Sequence, residues 1–252
     1  MKPSFRKRLK DREMLVGTTV SLASPEVAEV LSQAGFDWLF VDAEHSPLEA
    51  LSIQHLLQGA GATPCLVRLA RGDEIPIKQA LDVGAAGIIA PMVNSAEHAA
   101  QVVRWAKYAP LGARGVGVGR AHGYGFAFQE YVSRANDDTV VVVQAEHIDA
   151  VNNMEAIVQV AGVDAVFVGP YDLSASLGHL GEVTHPEAVS AIEHVTQVCR
   201  AAHMPLGIFG MSAEAVRPYI EGGYTLITVG IDTVLLGNAA RQMLRQLQVH
   251  QY

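Results

Sequence analysis

Eight short runs of β-branched and apolar residues, each separated from the next by sequence of helical period, restrict this chain to an α/β architecture. The runs fall at 16–22, 38–43, 65–70, 87–92, 140–146, 165–170, 205–210 and 226–231. Several are continuous rather than alternating, VVVV and AVFVG among them. Strands covered by helices on both faces read this way, and such strands are parallel. Amphipathic stretches at 25–34, 48–59, 75–83, 96–108, 149–160, 186–202 and 213–221 supply the crossovers that parallel pairing requires. Ser24-Pro25 and Thr184-His185-Pro186 mark helix starts, while Gly35, Gly84 and Gly222 follow helix ends. A last helix, about 234–249, follows the eighth run.

A chain of 252 residues matches the ~250 of one (β/α)₈ TIM barrel. The expectation is a single barrel domain over 1–252. An open doubly wound sheet is the alternative, because a strand count does not establish closure. One connection is long, 109–136, with glycines at 112, 115, 117, 119, 123 and 125. A loop of that length inside a compact domain serves function or a subunit contact.

Twenty-six acids against eighteen Lys and Arg give a net charge of −8, which counts against a nucleic-acid or anionic-membrane surface. No stretch approaches the ~20 apolar residues of a membrane span. The opening MKPSFRKRLKDRE is basic without an apolar signal core. Cys65 and Cys199 form no CxxC and read as reduced thiols, so the expected location is cytoplasmic.

In a barrel, chemistry gathers at the C-terminal ends of the strands. The second run ends in Asp42-Ala43-Glu44-His45, the third carries Arg68, and the fifth ends in Gln144-Ala145-Glu146. The sixth leads into Gly169-Pro170-Tyr171-Asp172 and the eighth into Asp232. Polar groups in such apolar strands are expensive unless paired or used. Period two places Gln144 and Glu146 on one face. Glu146 and Asp172, from neighbouring strands, suit a hard divalent cation such as Mg²⁺ or Mn²⁺. The competing reading gives Glu146 an internal ion pair and makes Asp172 the cap of a helix beginning at Leu173.

His45, three residues past Asp42, suits a general base near neutral pH with that carboxylate orienting its ring; the alternative is a surface-loop histidine. Arg68 interrupts CLVRLA, and a buried arginine requires an anion: Asp42, Glu146, a substrate carboxylate or a developing oxyanion. His122, His147 and Arg120 receive no role. The five lysines, Lys2, Lys7, Lys10, Lys78 and Lys107, avoid the strand runs, which disfavours Schiff-base chemistry. GxxxxGK[ST] and GxSxG are both absent from the sequence.

FDWLFVDAEHSP at 36–47, LVRL at 66–69, GARGVGVGRAHGYG at 112–125, VQAE at 143–146 and GPYDLSASLG at 169–178 together resemble the HpcH/HpaI aldolases. These are metal-dependent pyruvate aldolases of the phosphoenolpyruvate/pyruvate barrel superfamily, and the similarity runs from about residue 15 to 235. The resemblance implies reversible cleavage of a 4-hydroxy-2-oxo acid to pyruvate, or a close 2-oxo acid, and an aldehyde. It implies Glu146 and Asp172 as ligands of Mg²⁺, Mn²⁺ or Co²⁺, and His45 as acid/base through a metal-bound water, supported by Asp42. Arg68 would hold the pyruvate moiety and its enolate oxygen, and Gln144 would position substrate. Gly169, Pro170, Tyr171 and Ser174 would line the pyruvate end. A homo-oligomer is implied as well, a hexamer built of dimers with the C-terminal helix packed on a neighbour. Tyr171 is bulkier than the family's usual residue there, and Ala145 and His147 also depart from it, which bears on the aldehyde accepted. The alternative functions are a related lyase acting on an acyl-CoA or malate-like substrate, or a barrel that binds 2-oxo acids without turnover.

Overall fold

In the computed structural model, which describes residues 3–247, eight parallel strands close into one barrel in chain order. They are β1 (Leu15–Val20), β2 (Trp38–Asp42), β3 (Cys65–Arg68), β4 (Gly87–Ala90), β5 (Val140–Ala145), β6 (Ala165–Val168), β7 (Leu206–Gly210) and β8 (Leu226–Ile231). β8 pairs back onto β1, which excludes the open sheet. The helices are α1 (Phe5–Lys10), α2 (Pro25–Gln33), α3 (Ala50–Gly59), α4 (Glu74–Asp82), α5 (Ala96–Ala106), α6 (Phe128–Asp138), α7 (Ile148–Asn152), α8 (Met154–Ile157), α9 (Pro170–Ser176), α10 (Pro186–Ala201), α11 (Ala213–Glu221) and α12 (Asp232–Gln246). The expected end of the last helix at 249, together with Lys2 and His250, lies outside the described residues.

Alternation sorts the strand residues into two cores. Trp38, Phe40, Leu66, Ile89, Val142, Phe167 and Leu226 fill the barrel interior. Leu39, Val41, Val67, Ile88, Val141, Val143 and Val166 face the helical layer. Both faces are dry, which is why the runs are continuous in sequence. Large interior rings need glycine opposite them. A Cβ at Gly17 would lie 2.7 Å from the Trp38 indole, and one at Gly207 would collide with Phe167.

The basic N-terminal stretch forms α1, which the sequence reading left without structure. Phe5 and Leu9 join the interior core beneath Trp38, with ring centroids of Phe5 and Trp38 6.2 Å apart. Arg6 Nε donates to Asp164 at 2.8 Å and Arg8 Nη2 to Asp37 at 2.9 Å, so the basic residues fasten a plug over the barrel floor. Their charge is used internally.

Two other elements differ from expectation. The 109–136 connection contains a short 3₁₀ segment, Arg120–Gly125, followed by α6. Only Ala135 of α6 is buried, so its apolar stripe is too narrow to announce a helix. The segment expected as one helix at 149–160 breaks at Asn153 into α7 and α8. Strand pairing also stops short of the apolar runs. Residues 21–22, 43, 69–70, 91–92, 146 and 169–170 extend beyond the strands at the C-terminal rim.

Asp232 closes the seam between the first and last strands. Its carboxylate accepts from Ser21 N–H at 2.9 Å, Ser21 Oγ at 2.6 Å, Leu22 N–H at 2.9 Å and Thr233 N–H at 2.8 Å. This rim acid is therefore structural. Cys65 and Cys199 are buried and unpaired, and burial pushes both thiols up to about 12. Among the described residues no helix is long and apolar enough to cross a membrane.

Candidate active site

The ladder between β2 and β3 places Asp42 opposite Arg68 at the rim. Arg68 donates from Nε to Asp42 Oδ1 at 2.9 Å and from Nη2 to Oδ2 at 2.7 Å, a two-point fork that fixes the guanidinium plane. Its Nη1 lies 3.3 Å from Glu44 Oε2. Of the anions considered for Arg68, the protein supplies Asp42 first and Glu44 second. Burial opposes ionisation of Asp42. The Arg68 fork and the backbone N–H groups of His45 and Glu44 outweigh it and hold the carboxyl below its ordinary range.

Asp42 reaches His45 through the backbone, not the ring. Oδ1 accepts the N–H of Glu44 at 3.1 Å and of His45 at 3.2 Å, shaping the turn after β2. The imidazole projects outward, 65% exposed, with Nε2 3.8 Å from Glu44 Oε2. The expectation that Asp42 orients the ring is thus corrected: Glu44 is the acid beside it. Oδ1 is filled by these two N–H groups and Arg68 Nε, and Oδ2 is turned to Arg68 Nη2, away from the imidazole.

Glu146 and Gln144 share a face of β5, as period two requires. Gln144 Nε2 donates to Glu146 Oε2, and the N–H of Met92 donates to Oε1 at 2.7 Å. Met92 adopts a left-handed conformation, φ 53°, to aim that N–H. Burial pushes the Glu146 carboxyl up to about 7; the Met92 bond opposes this, and the charges of Glu44 and Asp172 add to it. The internal ion pair considered for Glu146 does not form, because Arg68 is occupied by Asp42 and Glu44. Asp172 is also not a cap. It lies inside the first turn of α9, whose N-cap is Gly169 and whose start has no side-chain cap bond. Its carboxylate instead lines the barrel mouth.

That mouth is a cavity of about 490 Å³, lined by Asp42, His45, Arg68, Gln144, Gly169, Pro170, Tyr171 and Asp172, with Phe40, Phe167 and Phe209 contributing rings and Thr19, Ser21 and Thr233 hydroxyls. Ser174 is buried behind it and donates to the Tyr171 carbonyl at 2.7 Å. Among the described residues Arg68 is the lining's sole Lys or Arg.

The donor chemistry fits a hard divalent cation. Every candidate donor is oxygen. Gln144 Oε1 and Glu44 Oε2 are buried without a hydrogen bond, although the charge of Arg68 Nη1 stands 3.3 Å from the latter. Burial pushes the carboxyls of Glu44 and Glu146 up, and neighbouring acid charges add to it, those of Asp42 and Asp172 on Glu44 and those of Glu44 and Asp172 on Glu146, against a single guanidinium. Buried acceptors without donors, in a surplus of negative charge, are what a cation with its water shell would satisfy. Gly169 keeps this corner open, since a Cβ there would lie 2.8 Å from Glu146 Cβ and 3.0 Å from Gln144 Nε2.

The residues left without a role in the sequence lie elsewhere. Arg120 Nη1 donates to the Val83 carbonyl at 2.9 Å, beside a second cavity of about 350 Å³ that Phe5 and Cys65 also line. His122 is buried with Nε2 3.1 Å from Tyr108 Oη, anchoring the long connection. His147 caps α7 through Nδ1. Among the described residues no lysine lines the mouth; Lys107 is buried and donates to the carbonyls of Asn136 and Thr139. Sequence reasoning missed Glu44 and Met92. Glu44 was visible inside Asp42-Ala43-Glu44-His45, but a backbone N–H leaves no sequence signal.

The family model described as HpcH/HpaI aldolase/citrate lyase matches residues 16–239. The chain is 40% identical over 243 residues to a hydroxypyruvate/pyruvate aldolase of Cupriavidus necator, covering 95% of this chain and 90% of that protein. It is 42% identical over 236 residues to a 4-hydroxy-2-oxovalerate aldolase of Rhodococcus jostii, covering 92% and 91%. The crystal structure of an HpcH/HpaI aldolase/citrate lyase family protein from Burkholderia cenocepacia superposes with a TM-score of 0.93 at 37% identity, covering 96% of this chain and 98% of that one.

Proposed function

The chain belongs to the HpcH/HpaI aldolase/citrate lyase family, and from that premise we propose that its barrel mouth reversibly cleaves 4-hydroxy-2-oxo acids to pyruvate, or a close 2-oxo acid, and an aldehyde. It is a carbon–carbon lyase, and the whole chain, 1–252, serves as one aldolase domain. The observation that carries the reading is the convergence of Asp172 and Gln144 beside the Asp42–Arg68 pair in one cavity, with Glu146 bonded to Gln144 just behind its wall.

Glu146 and Asp172 hold a divalent cation, Mg²⁺, Mn²⁺ or Co²⁺. When bound, that cation supplies Lewis-acid stabilisation of the charge that grows on the enolate oxygen. Arg68, locked in plane by Asp42, directs its positive charge at the substrate carboxylate and the same oxygen. A preset plane loses no orientation at the moment of reaction. His45, exposed at the rim, takes the 4-hydroxyl proton as the C3–C4 bond breaks; the electron pair passes to C3, the aldehyde leaves, and the enolate takes up a proton at C3 to give pyruvate. Gln144, Gly169, Pro170 and Tyr171 line the pyruvate end, and Ser174, buried behind them, holds the Tyr171 carbonyl rather than meeting substrate.

Association follows from the surface. Leu235, Leu236, Met243, Leu244 and Leu247 are exposed along α12 and its C-cap, an apolar row suited to burial against a second copy. A homo-oligomer, specifically a hexamer, is the assembly proposed. The two unpaired buried thiols support a cytoplasmic enzyme.

The test avoids a choice of aldehyde. Metal-stripped protein is incubated with pyruvate in D₂O, Mg²⁺ or Mn²⁺ is added, and the methyl protons are followed by NMR. Metal-dependent exchange is expected. Absence of exchange with every divalent metal would reject pyruvate enolisation at this site.

A further inference from the structure

We propose that His179, Glu182 and His185 form a second divalent-cation site, of the zinc type, on the connection between α9 and α10 and separate from the barrel mouth. One donor atom from each residue lies within 4.8 Å of the others. The backbone sets this up. Glu182 N–H donates to the His179 carbonyl at 2.9 Å, and His185 N–H to the Glu182 carbonyl at 2.9 Å. Two successive turns therefore bring side chains three residues apart onto one side of the connection. Gly178 and Gly181, at φ 87° and 82°, occupy the left-handed positions that these turns need.

The donor set decides the class of ion. The ligands proposed at the mouth, Glu146 and Asp172, are oxygen alone, which favours Mg²⁺ or Mn²⁺, whereas two imidazoles and one carboxylate favour Zn²⁺ and its neighbours Co²⁺ and Ni²⁺. Three protein donors leave a fourth position for water. Glu187 supplies an outer partner, with Oε2 3.6 Å from His179 Nε2. A carboxylate on the far ring nitrogen is the usual means of orienting a metal-bound histidine. Glu182 and Glu187 also offset the positive end of α10, which would otherwise repel a cation.

Binding requires one local adjustment. The two imidazoles now stack, with centroids 3.4 Å apart and planes 19° from parallel. They must tilt so that both lone pairs converge, and the long 3.3 Å bond from Glu187 N–H to His185 Nδ1 loosens. Half-exposed rings on a fixed backbone can make that change. An ion here ties the end of α9, the helix that carries Asp172, to the start of α10.

Protein saturated with Mg²⁺, so that the mouth is filled, is titrated with Co²⁺ and then Zn²⁺. The unaltered protein should bind one equivalent per chain more than His179→Ala, with the visible absorption of four-coordinate Co²⁺, bleached by Zn²⁺. His179→Ala and Glu182→Gln should each remove that absorption while circular dichroism stays unchanged. Glu187→Gln should weaken binding about 10- to 100-fold. Co²⁺ absorption and stoichiometry identical in His179→Ala and the unaltered protein would overturn the proposal. So would no additional equivalent in the unaltered protein. Neither outcome bears on the pyruvate exchange test, which reads the mouth alone.

Discussion

Arg68 and Asp42 face each other across the β2–β3 ladder, and two hydrogen bonds of 2.9 and 2.7 Å make them one planar unit at the floor of the mouth. Removing the arginine does two separable things. Arg68→Ala strands a buried carboxylate, which costs about 3–5 kcal/mol of stability. It also deletes a charge-assisted donor to the enolate, worth about 2.7–4 kcal/mol in turnover. Arg68→Lys keeps the charge without the fork, and should recover more of the stability than of the rate. Urea denaturation beside pyruvate exchange separates the two; an Arg68→Ala protein as stable as the parent would contradict the pairing argument.

Glu146→Gln and Asp172→Asn change charge with little change in shape. Each should abolish metal-stimulated exchange and leave the far-ultraviolet dichroism of the barrel intact. Full metal-dependent activity in both variants would sink the ligand assignment.

Metal-free protein should become less stable as pH rises from about 4.5 to about 7. Glu146 keeps its proton in the folded state up to about 7 but loses it near 4.5 when unfolded. The folded state therefore binds the extra proton across that window. Its contribution is complete below the window and is lost as pH climbs through the folded value. The size is on the order of 3 kcal/mol. Glu146→Gln should flatten this part of the profile. Saturating Mg²⁺ should reverse the slope, because the cation competes with that proton. Thermal melts with and without metal measure both.

His45→Ala should lower turnover about 10²- to 10⁴-fold while leaving metal affinity unchanged. The ring is 65% exposed, so the fold should lose little. Unchanged turnover would reject the acid/base role.

Gly17→Ala places a Cβ within 2.7 Å of the Trp38 ring. An overpacked interior of this kind costs about 1–3 kcal/mol. The loss should appear as a lower melting temperature with catalysis per folded molecule preserved. A melting temperature equal to the parent's would show that the interior yields.

Much of this was readable before any coordinates, for physical reasons that differ by element. Strands buried on two faces must be apolar throughout, so VVVV and AVFVG declare themselves. Polar groups at their ends are conspicuous because burial makes them expensive, and this exposed Asp42, Arg68, Gln144 and Glu146 together. Closure left no local mark, since it depends on Ser21 and Asp232, two ordinary polar residues 211 positions apart. α6 was hidden by a glycine-dense approach and by burying only Ala135. Orientation was the least legible property. Spacing placed His45 near Asp42, but whether the carboxylate meets ring or backbone depends on acceptor lone pairs already claimed by Arg68.

The Asp232 clasp also bears on how the molecule is made. A chain emerging from the ribosome presents β1 first and β8 last of the eight strands, so one edge of β1 has no partner until the other seven have been made. Until Leu226–Ile231 has been translated, the nascent protein is a curled sheet with two open edges, the form most prone to pairing with other chains. A stop codon just before β8 would leave a sticky, unsealed product. Truncation from the far end of α12 would spare the clasp and should be tolerated far better.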